Sequence, residues 1–482
     1  MRDPVIIQGG MGVGVSGWRL AAAVSRAGQL GVVSGTALAV TLARQLAVGD
    51  VDGHVRRALS QFPVPGIAQR VCDRYLATAG SRPGDRFRAV PRPTLTPGAA
   101  LTELTVVANF VEVFLAKEGH VGPIGINYLE KIQLPTLPSL YGAMLAGVDV
   151  VLMGAGVPAR IPAALDALAE GRPASLPVEV AGAASGERHV IGFDPQQVAG
   201  DHAPPLTRPR FLAIVASATL ARFLARAASG GPDGFVVETP VAGGHNAPPR
   251  DRSARDGDGQ PVYGPRDQLD LDAIAALGLP FWLAGGYATP ERLVEAQAAG
   301  AVGVQVGTAF AFCDESGLAE PLKRQLLARA ATGRATVRTD PVASPTGFPF
   351  KVVELDDTLA DPEVARRRPR RCDLGYLREL YRRPDGRVGY RCPAEPVDDY
   401  VRKGGDVAAT TDRLCLCNGL VATVGLGQFR HDGYAEPSLI TAGDDLAALT
   451  RFLADGADRY SARDVIDHLL GVAPAPAAAT PE

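Results

Sequence analysis

Through the first two-thirds of the chain, short uninterrupted apolar runs alternate with stretches of helical periodicity. The runs fall at 5–8, 30–34, 124–127, 149–153, 211–216, 235–238, 281–284 and 302–306. They are continuous rather than strictly alternating, the pattern of parallel strands covered on both faces. Most end at glycine or a small polar residue, and helical stretches follow several of them. Eight such units in succession predict an α/β fold of the (β/α)8 TIM-barrel class.

Two segments are too long for simple βα connections. Residues 36–122 read as helical at both ends, with a Pro/Arg-rich middle at 81–97. After a helix at 162–170, residues 174–209 carry apolar runs at 176–180 and 189–193, which predict a β-hairpin turning across 183–187. Long insertions usually cover or shape a site. Beyond residue 315 the pattern changes: a helix at 318–332, then an arginine-dense stretch at 366–371, then a last helix at 462–470. The expected organisation is a barrel over 1–335 with the two insertions, an α-rich, cysteine-bearing extension over 336–470, and a disordered Pro/Ala tail over 471–482.

Composition narrows the function classes. At 482 residues the chain exceeds one simple core, and 46 % hydrophobic with 21 % charged residues is ordinary for a globular enzyme. A net charge of −3 supplies no basic field for nucleic acid. The start, Met1-Arg2-Asp3-Pro4, lacks the basic and apolar regions of a signal peptide, and no run of 18 apolar residues is found, so neither secretion nor a membrane span is expected. The six cysteines (72, 313, 372, 392, 415, 417) are too sparse for a disulfide framework and point to a cytoplasmic setting.

The candidate chemistry sits where the runs end. Gly12-Val13-Gly14-Val15-Ser16-Gly17 fits G-x-G-x-x-G, but the next strand ends Ser34-Gly35-Thr36 without the acid a dinucleotide ribose needs. The better reading places Gly9, Gly10 and Met11 at the mouth of the first strand, where bare backbone can lie against a flat ring. Gly285 with Gly286, and Gly307 with Thr308, each close a strand, about where a barrel builds its phosphate site. Backbone N–H groups at such glycines can reach phosphate oxygens, and no acid intrudes in the sequence there. His245 follows Gly243 and Gly244 on a rim loop and suits a general base or acid. Asn127 can donate to and accept from a flavin pyrimidine edge. Gly154 and Ser217 end two further strands and would line the same mouth, while Glu130 and Lys131 read as surface charge. Cys372, Cys392, Cys415 and Cys417 are separated by 19, 22 and 1 residues, without C-x-x-C knuckles. They read as thiols rather than a zinc site.

Taken together, Ile7-Gln8-Gly9-Gly10-Met11, Gly125-Ile126-Asn127, Gly154-Ala155-Gly156, Ala242-Gly243-Gly244-His245, Ala284-Gly285-Gly286 and Val304-Gln305-Val306-Gly307-Thr308 resemble the nitronate monooxygenase family. That family, formerly 2-nitropropane dioxygenases, includes flavin-dependent enoyl-acyl carrier protein reductases and the stand-alone enoyl reductases of polyunsaturated fatty acid and polyketide synthases. The resemblance covers most of 4–315 and continues into Thr346-Gly347-Phe348-Pro349. It implies FMN, with phosphate on Gly285, Gly286, Gly307 and Thr308, a ring over Gly9–Met11 near Asn127 and Gln305, and His245 facing the ring. The run His245-Asn246-Ala247-Pro248 departs from the family, in which a glycine stands two residues after the histidine.

Three activities are compatible with these residues: oxidation of a nitronate-like or other carbanionic small substrate with O2; NAD(P)H-dependent reduction of an enoyl thioester, with the substrate carried on an acyl carrier protein; and a flavin-binding accessory subunit. The arginines at 366–371 would meet an acidic carrier in the latter two, or form a solvated charged face.

Overall fold

A computed structural model describes residues 3–77, 87–454 and 457–472. Part of the Pro/Arg-rich middle, 81–86, and the tail from 473 lie outside the described residues. Fourteen strands run in chain order among the described residues: β1 Ile6–Gln8, β2 Gly31–Ser34, β3 Ile124–Leu129, β4 Val150–Gly154, β5 Ala174–Val178, β6 His189–Phe193, β7 Arg210–Val215, β8 Gly234–Glu238, β9 Phe281–Ala284, β10 Gly303–Val306, β11 Val337–Asp340, β12 Phe350–Val353, β13 Glu379–Arg382 and β14 Val388–Arg391. Each of the eight anticipated apolar runs is a strand of one parallel sheet, in the order β1-β10-β9-β8-β7-β4-β3-β2.

The sheet closes on itself. Ile7 bridges Leu30 in parallel, Gln8 N–H donates to the Leu30 carbonyl at 3.0 Å, and Leu30 N–H donates to Ile6 at 3.1 Å. Side chains complete the seam: Gln8 Oε1 accepts from Val32 N–H at 2.9 Å, and Gln29 Oε1 accepts from Ile6 N–H at 2.8 Å. Gln8 is fully buried, so its amide must be satisfied, and this polar stitch fixes where the barrel joins.

Alternate strand residues separate into two cores. Ile7, Leu30, Val32, Val150, Leu152, Leu212, Val236 and Trp282 fill the barrel interior. Their neighbours, such as Ile6, Val33, Val151, Phe211, Phe235 and Val304, face the helices. This two-sided burial is why the runs read as continuous. Trp282 plugs the lower end and donates its indole N–H to the Pro4 carbonyl at 2.8 Å.

The first insertion supplies helices at Leu38–Ala47, His54–Leu59, Ile67–Tyr75 and Ala99–Lys117. The last is 19 residues long with mean hydropathy 1.6, so by length and composition a span-sized helix is present where none was expected. Its Leu104, Val106, Val107, Phe110 and Val111 are buried in the main core, which explains its apolar composition without a membrane. In the second insertion β5 and β6 pair antiparallel, with Leu176 opposite Ile191, as the hairpin reading requires.

The extension contributes two more antiparallel pairs, β11 with β12 and β13 with β14, and the helix Ala462–Leu469. Its Ile440, Leu446, Leu449, Val465 and Ile466 join the same apolar cluster as the barrel strands. Tyr460 Oη donates to the Ala309 carbonyl at 2.7 Å. Residues on either side of position 335 therefore share one core.

Candidate active site

His245 stands on the loop after β8, and the extension holds that loop. Gly244 N–H donates to Thr441 Oγ1 at 2.8 Å, Lys351 N–H donates to the Gly244 carbonyl at 2.9 Å, and Asn246 N–H donates to Pro349 at 2.9 Å. His245 bridges Phe350 as an added antiparallel residue, and the two rings meet edge to face at 4.8 Å. Its Nε2 lies 2.7 Å from Ser344 Oγ, which in turn lies 2.8 Å from Thr346 Oγ1. Enclosure by this apolar and hydroxyl surround disfavours the charged imidazole and pushes it down to about 4. At neutral pH the ring is therefore uncharged, able to accept a proton.

Thus Gly243 and Gly244 serve the extension rather than a cofactor. A Cβ at Gly243 would come 2.7 Å from the Ala442 carbonyl carbon, and the Gly244 amide is already bonded to Thr441. Ser217 likewise has a structural task, since its Oγ caps the helix Ala218–Ala225 by accepting from Leu220 N–H at 3.3 Å.

The glycines after β9 and β10 form the other side of the mouth. Gly285 and Gly286 have φ of +88° and +79°, a conformation that favours glycine. Thr289 caps the following helix, Pro290–Ala298, its side chain accepting from Arg292 N–H. The backbone N–H groups of Gly286, Tyr287, Gly307, Thr308 and Ala309 have no acceptor among the described residues. A Cβ at Gly307 would meet only Met11 Sδ, at 3.5 Å. No acid stands in the local sequence at these strand ends, but one arrives from elsewhere in the chain. The extension brings Asp445 beside Thr308, whose Oγ1 also accepts from Gly443 N–H at 2.9 Å. Asp445 comes from far along the chain, so local sequence could not reveal it. Burial raises its carboxyl above the ordinary range.

Between the glycines and His245 lie two amides with unsatisfied atoms. Asn127 Nδ2 donates to the Gly10 carbonyl at 3.2 Å, but Asn127 Oδ1 and Gln305 Oε1 are buried without partners among the described residues. A Cβ at Gly10 would fall 2.4 Å from Asn127 Cβ, and one at Gly9 would touch Gln305 at 3.6 Å. Gly10 thus packs against Asn127, and Gly9 against Gln305. The strand β4 ends on Gly154, which a Cβ would force to 2.9 Å from Ile214. Its role is close packing.

A cavity of about 1700 Å3 opens over the ends of β4, β7 and β8. Its wall includes His245, Ser217, Lys131, Glu238 and Phe348, and it extends to Glu179 on the hairpin insertion and Arg413 on the extension. The phosphate-type glycines and Gly9–Met11 lie outside its lining. Lys131 also approaches the Phe348 ring at 5.4 Å, so it belongs to the site wall rather than to open surface. Glu238 went unremarked in the sequence. It ends β8 inside this cavity, and burial raises its carboxyl to about 7. A carboxylate closing a barrel strand was the available signal.

The remaining candidates resolve differently. Ser16, in the G-x-G-x-x-G stretch, ties its Oγ to Met11 N–H and Gly9 O at 2.9 Å each, which makes the stretch a structural turn. In the arginine-dense segment, Arg366 and Arg367 are exposed while Arg368 is buried against Glu436. The four extension cysteines line one small pocket, although no three His, Cys, Asp or Glu groups among the described residues are set to hold a metal ion as they stand.

Barrel, neutral rim histidine, glycine-closed strands and orphaned amides define a (β/α)8-barrel protein with an enzyme-type site at its C-terminal mouth. Residues 199–343, which carry β7 to β10 and the His245 loop, match the family model described as nitronate monooxygenase. A 28 % identical stretch of 156 residues relates the chain to (3aS,4S,5R,7aS)-5-hydroxy-7a-methyl-1-oxo-octahydro-1H-indene-4-carboxyl-CoA dehydrogenase from Mycobacterium tuberculosis, covering 32 % of this chain and 39 % of that protein. The match thus spans well under half of the curated relative. Among solved structures, FabK from Thermotoga maritima aligns at 16 % identity with TM-score 0.46, over 98 % of this chain and 92 % of that one. Nitroalkane oxidase from Streptomyces ansochromogenes aligns at 18 % identity with TM-score 0.45, over 97 % and 95 %.

Proposed function

We propose that the protein is an FMN-dependent oxidoreductase of the nitronate monooxygenase kind, with His245 as its acid–base residue. The observation that carries this reading is the pair of orphaned acceptors, Asn127 Oδ1 and Gln305 Oε1, buried beside Gly9 and Gly10. They suit the N–H donor of a flavin pyrimidine edge, and the free amides of 286–287 and 307–309 suit its phosphate. FMN would supply the electron-accepting and electron-donating chemistry. The chain's own part is orientation and proton handling. His245, neutral and held by Ser344 and Phe350, accepts a proton from a carbon acid or steadies the resulting anion. Six free cysteines suit a reducing, cytoplasmic setting.

The cavity's size favours a second reading within the same class. Small-ligand pockets occupy roughly 300–1,000 Å3, and about 1700 Å3 reaching the hairpin and the extension exceeds the need of an alkyl nitronate. An enoyl thioester on a long pantetheine-type arm would use that length, with NAD(P)H as hydride source. Anaerobic mixing decides between them. Bleaching of the flavin by propionate 3-nitronate or an alkyl nitronate alone supports the oxidase, whereas bleaching by NAD(P)H followed by reoxidation with an enoyl thioester supports the reductase. A protein that neither reagent reduces would leave only the accessory-subunit reading.

A further inference from the structure

Four of the six cysteines converge, although they come from three separate segments of the extension. Cys372, Cys392, Cys415 and Cys417 line a single pocket together with Glu395. The other two, Cys72 and Cys313, lie elsewhere in the fold, on the helix Ile67–Tyr75 and after the helix Thr308–Ala311. Sequence spacing alone could not show this convergence, because β13 and β14 fold the chain back between the first two cysteines.

Two further features of the pocket are unexplained by the protein alone. Glu395 is 3 % exposed; its Oε2 accepts from Lys403 Nζ at 2.7 Å, but its Oε1 is buried with no partner among the described residues. Arg370 and Arg378 stand next to Cys392 and Cys372 respectively, and each donates only to backbone carbonyls: Pro393 and Thr410 for Arg370, Gly375 and Pro93 for Arg378. Neither guanidinium makes a salt bridge among the described residues, although Asp412 lies near Arg370 and Glu395 near Arg378.

We propose that this pocket is a structural zinc site, with the four sulfurs of Cys372, Cys392, Cys415 and Cys417 as ligands. Four thiolates around one divalent ion leave two negative charges, which Arg370 and Arg378 balance. Each new Zn–S bond releases one thiol proton to solvent, and no oxidation or reduction is involved. The pocket's cavity of about 10 Å3 has room for about one water-sized sphere, which suits a single ion. As they stand, no three of these groups are set to hold an ion, so binding requires the thiol side chains to turn towards it. The site would staple together segments that carry Leu377, Arg378, Pro393 and Arg413, all in the wall of the large cavity. Arg413 Nη1 also donates to the Ser344 carbonyl, linking the staple to the serine beside His245.

The test uses full-length wild-type protein purified anaerobically. Its zinc, iron and acid-labile sulfide are measured, and uptake of added Zn2+ is followed against a chromophoric chelator. The expected result is about one zinc per chain, bound or taken up, without iron or sulfide. Mercurial modification of the thiols should release it. Cys72→Ser should keep the zinc, and Cys417→Ser should lose it. Three results would overturn the proposal: no zinc bound or taken up by wild type, iron with sulfide instead, or equal zinc loss in both variants. The first two need no variant to fold, and all three are independent of flavin content and turnover.

Discussion

At the scale of single residues, His245 and Glu238 face one cavity with opposite displacements. The imidazole is pushed down to about 4 and the carboxyl up to about 7, both chiefly by desolvation. For His245 the unfolded chain binds more protons between its ordinary value near 6.5 and about 4. Its contribution to stability is therefore present above pH 6.5 and lost as pH falls towards 4. For Glu238 the folded chain binds more protons between its ordinary value near 4.5 and about 7, so its contribution is present below 4.5 and lost as pH rises through 7. Melting curves across pH should show Glu238→Gln gaining on wild type above pH 7, and a kinetic limb near pH 7 should vanish with it. A limb that persists in Glu238→Gln would belong to another group. His245→Ala should retain FMN but lose about 10²-fold or more in turnover if the ring moves a proton, with His245→Asn no better. If the ring only steadies an anion, His245→Asn should keep most of the maximal rate and the loss should fall on substrate binding.

Gly307 gives a second residue-scale test. Its φ is −108° and a Cβ there meets only Met11 at ordinary contact distance, so the fold has room for a Cβ at this position. Gly307→Val should stay folded while losing flavin, read from absorbance of the purified protein. Gly285 would be a poor choice for the same question. Its φ of +88° and a Cβ 2.3 Å from Thr239 Oγ1 would damage the fold itself.

At the scale of elements, the strand β12 decides the position of the His245 loop. Phe350 is 2 % exposed and packs on the His245 ring. Phe350→Ala should cost about 3–5 kcal/mol in urea unfolding and lower turnover more than flavin content, because the loop loses its brace. Further along, the buried Arg368–Glu436 pair joins two irregular parts of the extension. Glu436→Gln strands a buried guanidinium and should destabilise by about 3–5 kcal/mol. A loss below 1 kcal/mol would mean that the pair is solvated. The first of these dependencies was invisible in the sequence, since β12 reads only as a short apolar run and nothing local ties it to a histidine a hundred residues earlier.

At the scale of the whole molecule, heat denaturation should release FMN rather than FAD, because the free amides after β9 and β10 suit one phosphate group. A colourless protein that refuses FMN would contradict the proposed chemistry. The eight strands, the hairpin insertion and the glycines closing β9 and β10 were legible in the sequence because each follows from local physics. Burial on both faces makes an apolar run continuous, and a left-handed turn favours glycine. The rim position of His245 was legible for the same reason. What tertiary structure alone decided is everything the extension does: it occupies Gly243 and Gly244, sets Asp445 beside Thr308, holds His245 through Ser344 and Phe350, and gathers four cysteines into one pocket. These contacts join residues tens to hundreds of positions apart. Their partners are chosen by packing and hydrogen-bond satisfaction in three dimensions, for which local periodicity carries no signal.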